Sequence, residues 1–304
     1  MKVAQGWTVL ALAWTAVAIA LGTTTSAAQT PIPSAVEIVR KAVNNECSTN
    51  NGSAKFMFAD HKQTTHGSQT RLIAEAEEAT AGMLVAVDDK PLTPEQRQAE
   101  MDRLQTLVRD PQELNKRHRA EREDAERTTR IVRALPDAFL FEPDGTETGT
   151  DGLGKAGDEL VRLKFRPNPN YSPPSHTEQV LTGMQGYILI DATEHRIAKI
   201  DGTLFKEVSF GWGILGHLNR GGHFLVQQAD VGGDHWEVTR MSLAFTGKEI
   251  FFKNINIKQD EACSDFRPLP SNLTFAQAVE LLKRRNAELA QNHEPNGGGT
   301  QEHK

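Results

Sequence analysis

Gly211-Trp212-Gly213-Ile214-Leu215-Gly216 is a literal G-x-G-x-x-G that follows the strand-like stretch KEVSF. A dinucleotide fingerprint of that form requires a helix to begin at its glycines, so that the first backbone amides meet the pyrophosphate. Here His217-Leu218-Asn219-Arg220-Gly221-Gly222 follows and a strand is predicted from His223, which leaves no room for that helix. The loop FGWGILGHL then has two readings. Either its glycines let Phe210, Trp212, Ile214 and Leu215 project as a binding edge, or it plugs one end of a barrel.

Ten histidines raise the question of a metal. His217, His223 and His235 share a region with Asp230 and Asp234, but no H-x-x-x-H or C-x-x-C spacing accompanies them, so no metal site is predicted. A G-x-S-x-G elbow is missing from the sequence, and the acid pairs Asp88-Asp89 and Glu77-Glu78 fall at strand ends, where solvation accounts for them. No catalytic residue and no cofactor is assigned, and the expectation is a non-enzymatic protein. The two cysteines, Cys47 and Cys263, leave two possibilities in an oxidising compartment: a disulfide joining the first helix to the end of the last strand, or two separate buried thiols.

The elements that would carry these residues begin after residue 28. Met1-Lys2, the apolar run Val9 to Leu21 and Ser26-Ala27-Ala28 have the layout of a signal peptide cleaved after Ala28, so the protein is expected to be periplasmic or secreted. That run is short against the ~20 apolar residues needed to cross a bilayer, so no transmembrane segment is expected after cleavage. Without residues 1–28 the chain has 276 residues and 33 Lys+Arg against 40 Asp+Glu, a net charge of −7. A mildly acidic chain with no basic cluster argues against nucleic acid as a partner.

Residues 29–290 are expected to form one domain, with 291–304 a disordered tail. Ser34 with Glu37 is a capping box for a short first helix that ends in the polar run 44–51. KFMFAD, RLIAEAEEAT and MLVAVDD then read as a strand meander. A helical insertion over 93–134 follows, opened by Thr93-Pro94-Glu95-Gln96 and restarted at Asp110-Pro111. In its second helix 12 of the 22 residues from Gln112 to Arg133 are charged. This is either an interaction arm or a solvated helix held by pairs such as Glu123 with Arg127. Strands return at DAFLFE (137–142) and ELVRLKFR (159–166), separated by a Gly-rich mobile loop (145–157). Further strands are placed near 178–190, 195–208, 222–231, 235–245 and 249–259, with a turn at Thr246-Gly247. A last helix follows Thr274, with Ala278, Leu281, Leu282 and Leu289 facing inward. The fold class is therefore α+β: a large antiparallel sheet of about 10–11 strands that must curl or close, with the helices as its cover if it curls; the unclosed barrel among these choices is what a family resemblance implies.

GYILIDATEHRIAKIDGTL (186–204), GGHFLVQQADVGGDHWEVTRMSLAF (221–245) and GKEIFFKNI (247–255) carry a resemblance. Together with the overall layout they are similar to the periplasmic lipoprotein-sorting (LolA/LolB-like) carriers and receptors of Gram-negative bacteria. That resemblance implies a half-barrel with helices over a concave apolar face, and a lipid or lipoprotein acyl chain as the partner. The insertion is longer than a simple lid, and no lipid-anchor Cys is present, which fits a soluble relative. Strands apolar on both faces point the same way: FMF (56–58), AFLF (138–141) and GYILI. Candidate ligand-binding residues are Phe56, Phe58, Phe139, Phe141, Tyr187, Leu189, Phe210, Trp212, Ile214 and Leu215. The alternative function is an envelope protein-interaction module that docks through the charged helices.

Overall fold

The computed structural model describes residues 33–49, 54–210, 216–249 and 253–293. The expected signal peptide, the end of the polar tail (294–304), and Trp212, Ile214 and Leu215 lie outside the described residues. Helix α1 (Ala35–Thr49) leads to strands β1 (Lys55–Thr64), β2 (Gly67–Ala74), β3 (Ala81–Val87) and β4 (Lys90–Pro91). Helices α2 (Pro94–Val108) and α3 (Pro111–Ala138) follow. After them come β5 (Phe139–Thr148), β6 (Glu159–Pro167), the single turn α4 (His176–Gln179), β7 (Met184–Asp191), β8 (Ile197–Leu204), β9 (Val208–Phe210) and β10 (Gly216–Leu218). Strands β11 (His223–Asp230), β12 (Trp236–Glu249) and β13 (Lys253–Leu269) and helix α5 (Phe275–His293) complete the chain.

The helix starts are written in the sequence. Ser34 donates its backbone N–H and hydroxyl to Glu37 at 2.7 and 2.8 Å, and Thr93 with Gln96 completes a capping box ahead of Pro94. Asp110 accepts from the amides of Gln112 and Glu113 at the start of α3. Thr274 and Gln277 do the same work for α5.

All thirteen strands among the described residues belong to one open sheet, ordered β4-β3-β2-β1-β13-β12-β11-β8-β7-β6-β5, with β9 and β10 off that path. Every ladder is antiparallel. Two meanders are thus joined where β1 lies against β13, and the α2–α3 pair connects the two sheet edges, β4 and β5. The fold is α+β with a large antiparallel sheet, as the patterning implied, and that sheet is unclosed.

Register fixes the two faces. Leu163, Ile188, Ile200, Val226, Met241, Glu261 and Lys62 are successive direct partners across seven strands and so share one face, here the inner face. On it α1 (Val39, Ala42, Val43) and the end of α3 (Leu135, Ala138) bury Leu163, Ile188, Ile190 and Ile197. On the outer face α2 (Leu104, Leu107) and α5 (Phe275, Ala278, Val279, Leu282) bury Leu72, Ala74, Ala81 and Met83 of the first meander. A small outer cluster of Leu160, Leu189, Ala198 and Trp236 lies at the other end of the sheet.

Several expectations are corrected. The first helix does end inside the polar run, at Thr49, but α3 continues past Leu135-Pro136 to Ala138. Pro136 is tolerated there because only the last turn loses a hydrogen bond. The first four residues of the expected mobile loop are strand, since β5 extends to Thr148, and residues 176–183 form α4 and a 3-10 turn. Thr246-Gly247 is not a turn; β12 passes through it, and Gly247 is required because a Cβ there would overlap the His217 carbonyl of β10. In α3 Arg127 pairs with Asp124 at 3.1 Å rather than with Glu123.

The Cys47–Cys263 disulfide is also overturned: both thiols are free. The C-terminal end of α1 is tied to the β7–β8 turn, where Asn45 donates to the carbonyls of Glu194 and His195. Cys263 lies on β13, three strands from β8, or ~14 Å at about 4.8 Å per strand, whereas a disulfide tolerates about 7 Å between Cα atoms. None of the described helices is long and apolar enough to cross a membrane.

Candidate functional site

Between the inner face, the second half of α1 and the last turns of α3 lies a cavity of about 940 Å³. Ile131, Val132 and Leu135 of α3 roof it, and Ile200, Phe224 and Val226 floor it. The alternation of the strands and the i, i+1, i+4 spacing on α3 place these side chains opposite one another. Helix α3 is charged along its length, and Glu113 pairs with Lys116 and Arg117, and Arg122 with Glu126, along its own surface, while Glu121, Arg130 and Asp137 reach Thr80, Glu178 and Arg40 of neighbouring elements. Its apolar residues sit where it crosses the cavity.

One end of the cavity is polar. Glu46 of α1 accepts from both arms of Arg196 at 2.9 and 3.0 Å and from the Ile197 amide at 2.9 Å, a bidentate pair with both side chains less than 15% exposed. The guanidinium lies 5.6 Å over the Trp236 ring, whose Nε1 donates to Glu194 at 2.7 Å. Lys155 in turn bridges Glu194 and Asp234 at 2.7 and 2.8 Å. Two further acids line the same end. Glu75 accepts the Phe56 amide at 2.8 Å, and burial raises its carboxyl above the usual range. Burial first, and then the neighbouring Glu75, push Glu237 up to about 7. The cavity therefore pairs a long apolar wall with one carboxyl, that of Glu237, poised to exchange its proton near neutral pH.

A second group stands on the inner face at the junction of the two meanders. Asp60 of β1 and Cys263 of β13 are direct partners, and Glu261 lies two residues before Cys263 on the same side. One ligand atom from each lies within 4.8 Å of the others. Asp60 is 9% exposed, its Oδ1 has no hydrogen-bond partner among the described residues, and burial followed by Glu261 pushes its carboxyl up to about 6. Burial, then Asp60, pushes the Cys263 thiol up to about 12.

Of the candidate binding residues, Phe139 lines the cavity. Phe141 packs beside it, 6.3 Å from its ring, and Phe210 lies partly buried against the same core. Phe56 and Phe58 are on the inner face with Phe266, and Phe56 meets His235 of the cavity wall at 5.7 Å. Tyr187 and Leu189 face the opposite way. Leu189 is buried in the small outer cluster, and Tyr187 lies under the Arg162 guanidinium and donates to Asp201. In GYILI the inner residues are instead Ile188 and Ile190, because Ile188 pairs with Leu163.

Sequence reasoning missed Ile131 of α3 and Ile200, Phe224 and Val226 of the sheet; the period of two in HFLVQQ marked Phe224 and Val226 as one face of a strand, whereas Ile197 and Ile200 share a face only through the irregularity in the β7–β8 ladder. The three grouped histidines do not converge: His223 is 3.0 Å from Asp201, and His235 meets Phe56. A scan of protein-family models finds no match to this chain, and no curated protein matches it.

Proposed function

We propose that this chain is an exported, non-enzymatic binding protein that holds an apolar, chain-like ligand, such as a lipid or a lipoprotein acyl chain, in the cavity under α3. The observation that carries the reading is the volume of about 940 Å³ between Ile131, Leu135, Ile200, Phe224 and Val226, within the usual range of ligand pockets. The half-barrel and its covering helices support it, as does the resemblance of residues 186–204, 221–245 and 247–255 to the lipoprotein-sorting carriers. Apolar walls supply affinity by area. The Glu46–Arg196 pair and the acids Glu75 and Glu237 at one end supply orientation for a polar head.

The alternative, a docking module built on the charged helices, has less support, because charges of α3 are engaged within the chain, Glu113 with Arg117, Arg122 with Glu126 and Arg130 with Glu178, and Ile131, Val132 and Leu135 are spent on the cavity roof. Native mass spectrometry of protein purified from its own envelope tests the proposal, with displacement of an apolar fluorescent dye as the second readout. Co-purifying lipid, and dye binding that falls at least ~10-fold in Val226→Asp through a buried unpaired charge, are expected. A lipid-free chain that binds no dye overturns the proposal.

A further inference from the structure

We propose that Asp60, Glu261 and Cys263 form a binding site for one divalent metal ion of the zinc class on the inner face of the sheet. The proposal stands apart from the apolar-ligand reading, because none of the three lines the cavity.

Backbone geometry brings the three together. Asp60 and Cys263 are cross-strand partners in the β1–β13 ladder, and the period of two puts Glu261 beside Cys263 on the same face. Their ligand atoms already lie within 4.8 Å of one another. A tetrahedral ion with bonds of about 2.0–2.3 Å needs them ~3.5 Å apart, which side-chain rotation supplies.

The independent observation is Asp60 Oδ1, an oxygen on a side chain 9% exposed that meets no donor among the described residues. A buried acceptor without a partner is a standing cost that a cation removes. The neighbouring cations do not remove it. Lys62 Nζ is 3.5 Å from Glu261 Oε2, which Gln259 Nε2 also donates to at 2.8 Å, and Arg71 donates to Gln69. Lys62 and Gln259 thus hold the Glu261 carboxylate in place from its far side, the usual role of partners behind a ligand.

Ligand chemistry narrows the metal. A thiolate disfavours magnesium and calcium, while one sulfur and two oxygens suit zinc and the ions that substitute for it. Three protein ligands leave a fourth position for water or a ligand head. On binding, the Cys263 thiol gives its proton to solvent as the sulfur–metal bond forms, and the hydrated ion sheds the waters that the three side chains replace.

The experiment uses the full chain, chelator-treated and titrated with Co²⁺ alone under anaerobic conditions. One equivalent should produce thiolate-to-cobalt charge-transfer absorption that Zn²⁺ abolishes by displacement. Cys263→Ser should remove the band, Cys47→Ser should keep it, and Asp60→Asn should weaken Zn²⁺ binding at least ~10-fold. Absence of the band from the unaltered chain overturns the proposal, as does a band that survives Cys263→Ser. The unaltered chain and Cys47→Ser keep the test decisive if a ligand variant fails to fold.

Discussion

The two ends of the sheet are covered in opposite ways. At the first meander, α2 and α5 press on the outer face and make a closed cluster in which Leu104, Ala278 and Leu282 are wholly buried. At the second meander, α1 and α3 lie on the inner face, but α3 stands off the strands and leaves the cavity beneath it. Small residues explain much of the difference. Ala74, Ala79, Ala81 and Ala278 let helix and sheet approach closely at the first end, whereas at the second the helix brings Ile131, Val132 and Leu135 over Phe224 and Val226. Covering a sheet and building a pocket are alternative uses of the same material.

The sharpest way to break this contrast is to damage the closed end alone. Phe275→Ala should cost about 3–5 kcal/mol by calorimetry or urea titration while leaving apolar-dye affinity unchanged. A matching fall in dye affinity would show that the two ends are not separate. At the cavity end, Arg196→Met strands Glu46 beside the Ile197 amide and should cost about 2–4 kcal/mol, with dye binding altered as well.

Glu237 tests whether the cavity end is built around a protonated acid. Its carboxyl titrates at about 7 in the folded chain, against 4.5 when unperturbed, so the folded state holds the extra proton between those values. Stability from that source is present below about pH 4.5 and lost as pH rises through about 7, amounting to roughly 1–3 kcal/mol at ~1.4 kcal/mol per pH unit, less solvent screening. Melting temperatures at pH 5 and pH 8 should differ accordingly, and Glu237→Gln should flatten the difference. The smallest effect belongs to the connection between the ends: Thr93→Ala removes the cap of α2 and should cost about 1 kcal/mol in thermal unfolding, with no change in ligand affinity.

Much of the fold was legible because it is local. Capping residues marked four helix starts to within a residue or two, and the alternation in ELVRLKFR identified β6. What was not legible depends on partners far along the chain. GYILI is apolar at every position but one, so nothing in it says which side faces the helices; only the pairing of Ile188 with Leu163 decides. Gly247 looked like a turn because glycine serves both turns and close backbone approaches, and here the approach is that of β10. Cys47 and Cys263 suggested a bridge because they were the only two, but the folded chain puts Cys263 opposite Asp60. That neighbourhood joins residues more than two hundred positions apart, which no motif spacing records.

The ladder between β1 and β13 has a consequence for the order of events during synthesis. Each meander can form hairpins as it emerges, but neither is flanked on its inner edge until residues 253–269 are made. Asp60 precedes Cys263 by 203 positions. At roughly 5–20 residues per second β1 waits about 10–40 s for its partner. During that interval its open edge, bearing Phe56 and Phe58, is available to other chains. The last long strand is thus a keystone that covers the open edge of β1 when it arrives.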